Sequence, residues 1–158
     1  MPVTVFTIGH GTAGFAAIGE VLARHGVATI IDVRSHPHSR HAPEFSRPAL
    51  DGLAATSGFG YRWSGDALGG RPTDPSVLRA DGTVDEGALR NSPRFRSALA
   101  DLAALAAGAP VALLCAEERP EHCHRSRVIA PALEDLGVRV VHLLHDGTPL
   151  AHQGSLGI

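Results

Sequence analysis

Lysine is absent from this 158-residue chain, and all 14 of its basic residues are arginine. Against 16 acidic residues they leave a net charge of −2 with histidines neutral, so bulk charge supplies no pull toward nucleic acid or membrane. Cysteine is scarce too. Two residues, Cys115 and Cys123, do not make the disulfide framework of a small secreted protein. No apolar run approaches the roughly 18 residues of a membrane span. The opening residues Met1–Ile8 lack the basic stretch and small-residue cleavage site of a secretory leader. These absences lead to the expectation of a cytoplasmic protein, not membrane-bound, with both thiols reduced. The hydrophobic fraction of 44% and charged fraction of 19% are those of a globular chain rather than a disordered one.

What is present is an alternation of patterns. Val3–Ile8 is a β-branched run that ends at Gly9-His10-Gly11. Phe15, Ile18, Val21 and Leu22 then recur at helical spacing, with Gly26 placed as a C-terminal cap. Val27–Val33 is a second apolar strand, Pro43–Gly58 holds a helix, and Phe59–Trp63 is a weaker strand. Leu68-Gly69-Gly70 opens an irregular stretch that runs to about Asn91. Ser92-Pro93 is a helix start, with Phe95, Leu99, Leu102 and Ala106 as its inward stripe. Val111–Cys115, a helix over Ser126–Leu136 and a strand over Val138–Leu143 complete the series. The pattern predicts one α/β domain over residues 1–146. The domain is three-layered, a mainly parallel sheet of about five strands with helices on both faces, and residues 147–158 form a C-terminal tail.

In such sheets ligands bind at the carboxyl ends of the strands. Those ends carry His10, Asp32 with Arg34 and Ser35, Tyr61 and Trp63, Cys115, and His142 with His145 just beyond. The densest chemistry is the segment from Cys115 to Arg127. It holds both cysteines together with Glu117, Arg119, His122, His124, Arg125 and Arg127.

Cys115, at the mouth of a buried strand and facing a helix start, is a candidate nucleophile; its dull alternative is an inert buried thiol. Cys123 is open to three readings, namely a resolving thiol, a second nucleophile or a capping-region residue with no chemistry, and its place at the helix entrance favours shaping or binding. A zinc site built from Cys115, His122, Cys123 and His124, with His10 or His36, is a minority alternative; no metal ligand is assigned and the sequence requires no cofactor. His10, Asp32 and His124 are the candidate proton-handling groups; the alternative for Asp32 is an ion pair with Arg34 or a cap to a loop amide. Arg34, Arg40 and Arg125 are the candidate grips on an anionic substrate, because the guanidinium fork matches phosphate and carboxylate. Ser35, Tyr61, Gly70, Arg71, Glu117 and Cys123 complete the expected binding set, with Tyr61 and Trp63 as a ring platform. His38 and His41 are expected to face solvent.

The segments Thr7–Gly11, Ile31–Ser35 with Pro37, Ser39 and Arg40, Leu68–Gly70, and Leu114–Glu117 leading to Pro120 and Cys123–Arg125 resemble a family catalogued as domain of unknown function 488. The resemblance runs from Thr7 to about His142 and implies that these residues form a shared site. More distantly, Ile31–Ser35 and the Cys115 strand followed by a helix are similar to rhodanese-type sulfurtransferases and related phosphatases. That analogy concerns architecture, and implies a strand-end cysteine that accepts sulfur or phosphoryl.

The leading expectation is a cysteine-dependent enzyme, a thiol transferase or hydrolase, acting on a small phosphorylated or nucleotide-like anion. The alternatives are a binding module for nucleotide or single-stranded nucleic acid, and a metal-binding or thiol redox-sensing protein.

Overall fold

Five consecutive apolar residues, Val111–Cys115, form strand β4, and every one of them is buried. An unbroken apolar strand needs cover on both faces, and β4 has it, standing between β1 (Thr4–Gly9) and β2 (Thr29–Asp32). The computed structural model describes residues 3–152. Its sheet has the order β3-β2-β4-β1-β5-β6, where β3 is Gly60–Trp63, β5 is Arg139–Leu143 and β6 is Pro149–Ala151. The first five strands are mutually parallel, and β6 runs antiparallel on β5.

The two faces of the sheet are read off alternate residues, as the pleat requires. Val111 and Leu113 join Ile31, Val33 and Val140 in one core. Helices α5 (Pro93–Gly108) and α6 (Ala130–Asp135) cover it through Phe95, Leu99, Leu102 and Leu133. Ala112 and Leu114 join Ile30, Val141 and Leu143 in the other core. Helices α1 (Phe15–Arg24) and α2 (Arg47–Thr56) cover that one through Phe15, Ile18, Leu22 and Leu50. The chain is thus a three-layer α/β domain. No helix among the described residues is long and apolar enough to cross a membrane.

Four expectations change in detail. The sheet has six strands, because part of the segment read as a tail pairs with β5: a turn at Gly147 (φ +92°) reverses the chain and His152 donates to the Val140 carbonyl at 2.9 Å. Residues 153–158 of that segment lie outside the described residues. The helix expected over Ser126–Leu136 begins instead as a π-helical turn, Arg125–Ile129, before α6. Pro131 explains this, since it has no N–H to continue an α-helical ladder, and the Ala130 amide reaches back five residues to the Arg125 carbonyl. Pro43–Gly58 divides into a 3₁₀ turn at Pro43–Phe45 and α2. The irregular stretch holds the short helices α3 (Gly65–Leu68) and α4 (Glu86–Asn91), the latter capped by the Asp85 carboxylate on the Ala88 amide.

Candidate functional site

Strands β1 and β4 end together. The His10 amide donates to the Cys115 carbonyl and the Gly11 amide to the Ala116 carbonyl, each at 2.9 Å. This is possible because residue 9 is glycine: a Cβ there would stand 1.7 Å from the Glu117 carbonyl oxygen. The loop after β4 therefore lies flat across the end of β1 and brings Cys115 beside the side chain of His10.

Both cysteines are buried and unbridged. Cys115, Cys123 and His124 offer one sulfur or nitrogen each, all within 4.8 Å of one another. Cys123 Sγ accepts the Arg125 backbone N–H at 3.5 Å and lies 3.6 Å from His124 Nδ1. The Cys123 thiol, hydrogen-bonded to Cys115, holds the Cys115 thiol well below the usual cysteine range against the opposing cost of burial. His124 and the Glu117 amide add to the effect. Cys123 shifts the other way, raised by that same hydrogen bond and by burial. The two shifts favour the thiolate on Cys115 and the proton on Cys123. The helix start serves Cys123 rather than Cys115.

His10 stacks on Phe45, with ring centroids 4.3 Å apart. Its Nδ1 lies 3.0 Å from the Gly11 carbonyl oxygen. A carbonyl only accepts, so Nδ1 carries the proton and Nε2 holds the lone pair. Nε2 is buried without a partner, as is His124 Nε2. Burial lowers the His10 pKa, with Arg34 adding to it, so the ring is neutral near pH 7.

Asp32 and Arg34 are two residues apart on an extended chain, hence on one face, and they spend most of their polar atoms on each other. Arg34 Nε and Nη2 each reach the Asp32 carboxylate at 2.8 Å, and Nη2 also donates to the Phe45 carbonyl at 2.6 Å. The Tyr61 hydroxyl donates to Asp32 Oδ2 at 2.6 Å, and burial together with that bond pushes the phenol pKa up. Both Asp32 carboxylate oxygens are thus engaged within the chain, in the ion pair with Arg34 that is the alternative to a proton-handling role. Tyr61 lies behind it, away from the cavity, and Trp63 donates to the Arg34 carbonyl at 2.9 Å with Arg47 over its ring. The ring platform expected from Tyr61 and Trp63 does not line the site.

Arg125 is likewise corrected. It is 1% exposed, and its guanidinium donates to the Glu117 carbonyl (2.6 Å), the Glu118 carbonyl (3.0 Å) and Thr7 Oγ1 (3.2 Å). Thr7 Oγ1, which accepts from Arg125, is also hydrogen-bonded with His142 Nδ1 at 2.6 Å. His142 Nε2 in turn meets His152 Nδ1 at 3.0 Å. Burial, the His152 ring and Arg125 hold His142 down to about 4. This network braces the loop after β4 from beneath. It uses three of the five Arg125 N–H groups, and the side chain, 1% exposed, does not line the cavity.

Above the brace is a cavity of about 660 Å³. Its walls include the expected His10, Arg34, Ser35, Gly70, Arg71, Glu117, Cys115, Cys123 and His124. Ser35 Oγ accepts the Arg71 amide at 2.9 Å and so ties the second loop to the glycine pair. Arg40 is exposed and does not line the cavity. His36, His38, Ser39, His122 and Arg127 line it as well; of these, the sequence presents His36 and His122 only as zinc candidates, and His38 as a solvent-facing residue. Helical spacing held the signal for Arg127. Residues 124 and 127 share a face, whereas 125 falls in line with the apolar stripe Val128, Ile129, Ala132 and Leu133.

Cys115, Cys123 and His124 are also the one cluster of three metal-donor side chains among the described residues. Tetrahedral zinc with Zn–S bonds of about 2.3 Å sets sulfurs roughly 3.8 Å apart, inside the 4.8 Å envelope. The donor set fits zinc, which Cys115, Cys123 and His124 would hold at the cavity wall. His122 lines the cavity outside this cluster.

A family model described as Domain of unknown function DUF488 matches residues 15–133. No curated protein and no solved structure matches the chain, so the likeness to rhodanese-type proteins gains no support from these comparisons.

Proposed function

The chain belongs to that family, and from this premise we propose that it is a thiol-dependent enzyme acting on a small anionic substrate at the carboxyl edge of the sheet. The observation that carries the reading is the Cys115–Cys123–His124 cluster at the wall of a 660 Å³ cavity that it shares with the unpartnered Nε2 of His10. Cys115 is the nucleophile. Its sulfur forms a bond to the electrophilic atom of the substrate while the leaving group departs with its bonding pair. His10 Nε2 then takes the proton of the water or acceptor that cleaves the intermediate and restores the thiolate. Arg71 holds the anion: it lines the cavity and its side chain makes no hydrogen bond or ion pair with a described residue. Nucleic acid is the poorer fit, because the rings that would stack bases are turned away.

The test compares an anionic with a neutral alkylating reagent. Bromoacetate should modify Cys115 about tenfold faster than iodoacetamide does, relative to their rates with free cysteine, since one charge-assisted contact is worth that much. Arg71→Ala should erase the preference and Cys115→Ser should abolish labelling. Modification of Cys123 instead, or no preference for the anion, would overturn the reading. A second reading, a zinc centre on Cys115, Cys123 and His124, is favoured by their mutual spacing. Metal analysis of untagged protein decides it: about one zinc per chain replaces the nucleophile by a metal, and none removes that reading.

A further inference from the structure

The cavity does not end at His124. A second one, of about 400 Å³, adjoins it and shares Gly70, Arg71, His124 and Arg127 as walls. The divide is thin for a reason written in the sequence. A Cβ on Gly70 would lie 2.9 Å from His124 Cγ, so the backbone at residue 70 rests directly on the imidazole. Gly69 is held as closely, since a Cβ there would meet Ser35 Oγ at 2.1 Å.

The second cavity differs in character from the first. Pro72, Leu78, Val84, Leu89 and Val128 line it, and its one acid, Glu86, is paired with Arg127 at 3.3 Å. Its rim is stiff. Leu78 bridges to Val84, Asp81 Oδ1 accepts both the amide and the hydroxyl of Thr83, and Arg79 donates to the Val84 carbonyl at 2.6 Å. A preformed apolar cavity of this size suits an apolar group. Arg71 stands at its junction with the chamber that holds Cys115 and His10.

From this arrangement we infer that the substrate is amphiphilic. An anionic group sits at Arg71 beside Cys115, and an attached apolar group of about six carbons occupies the chamber lined by Leu78, Val84, Leu89 and Val128. The inference rests on the proposed thiol site and adds the part of the ligand that site leaves undescribed. It also gives the irregular stretch from Arg71 to Asn91 a role, that of a specificity wall.

The experiment measures how well n-alkyl phosphates, from methyl to octyl, protect Cys115 from iodoacetamide, with inorganic phosphate and hexanol as controls. The half-protecting concentration should fall about fourfold for each added methylene and level off near hexyl as the chamber fills. Val84→Trp should flatten the series and leave protection by inorganic phosphate unchanged. Thr83→Trp, on the exposed rim, should do the same if Val84→Trp fails to fold. A flat series in the wild type, with inorganic phosphate still protecting, overturns the apolar chamber and spares the thiol site. Hexanol protecting as well as hexyl phosphate overturns the amphiphile. No protection by any anion, with Cys115 slow to react, defeats the thiol site itself.

Discussion

Two sets of polar residues gather at the carboxyl edge of this sheet, and their hydrogen bonds set them apart. In the Asp32–Arg34–Tyr61 and Arg125–Thr7–His142–His152 networks most buried donors and acceptors meet a partner within the chain. Three buried imidazole nitrogens have none: His152 Nε2 in the second network, which lies 3.8 Å from Glu134 Oε1, and His10 Nε2 and His124 Nε2 at the cavity. A buried polar atom without a partner costs about 1–3 kcal/mol, which a fold keeps where a ligand meets it. Position at a strand end therefore does not separate site from scaffold here. The accounting of partners separates them better, with His152 Nε2 as its exception, and burial divides Arg125, 1% exposed, from Arg127, whose side chain is 57% exposed.

This division can be pressed at each side. Asp32→Asn would leave the buried Arg34 guanidinium facing a neutral partner, and urea unfolding should show a loss of about 3–5 kcal/mol. A loss below 1 kcal/mol would mean that the pair is not the anchor described. The second effect is on pH. His142 is held at about 4 in the fold against an ordinary value of 6.5, so the unfolded chain takes up the proton first. Its contribution to stability is therefore intact above pH 6.5 and lost as pH falls toward 4, by roughly 3 kcal/mol. His10, also lowered, acts in the same direction. His142→Gln should flatten most of that slope in a series of thermal melts.

On the reactive side, Cys123→Ala removes the thiol that steadies the Cys115 thiolate. Alkylation of Cys115 at pH 6 should slow by about tenfold or more, one pKa unit being that factor, with little change at pH 9. Arg40→Ala is the smallest change. It should leave alkylation untouched and shift stability by less than about 0.5 kcal/mol, because Arg40 is exposed and away from the cavity.

The layered fold was legible because apolar period, caps and glycine stops agreed. Val111–Cys115, the Phe15–Leu22 stripe and the Ser92 cap fall where the pattern placed them. Strand β6 was not, since Pro149-Leu150-Ala151 is three residues long, exposed throughout, and made a strand only by pairing with β5. Within the site, Cys115 and His10 were legible as strand ends. Arg125 was misjudged because guanidinium chemistry was weighed without its helical face, and Tyr61 because its hydroxyl partner, Asp32, lies 29 residues away in sequence. Phe45, which sets the His10 ring, left no signal in its neighbours, because the stack forms only when the second loop folds over β1.

The central claim, a thiolate resting on Cys115 beside a protonated Cys123, is tested most directly by the rate of iodoacetamide alkylation at Cys115 against pH, located by peptide mass. The account predicts a rate nearly flat from pH 9 to pH 6. A rate that climbs about tenfold per unit through neutrality toward an ordinary thiol pKa near 8.5 would contradict it.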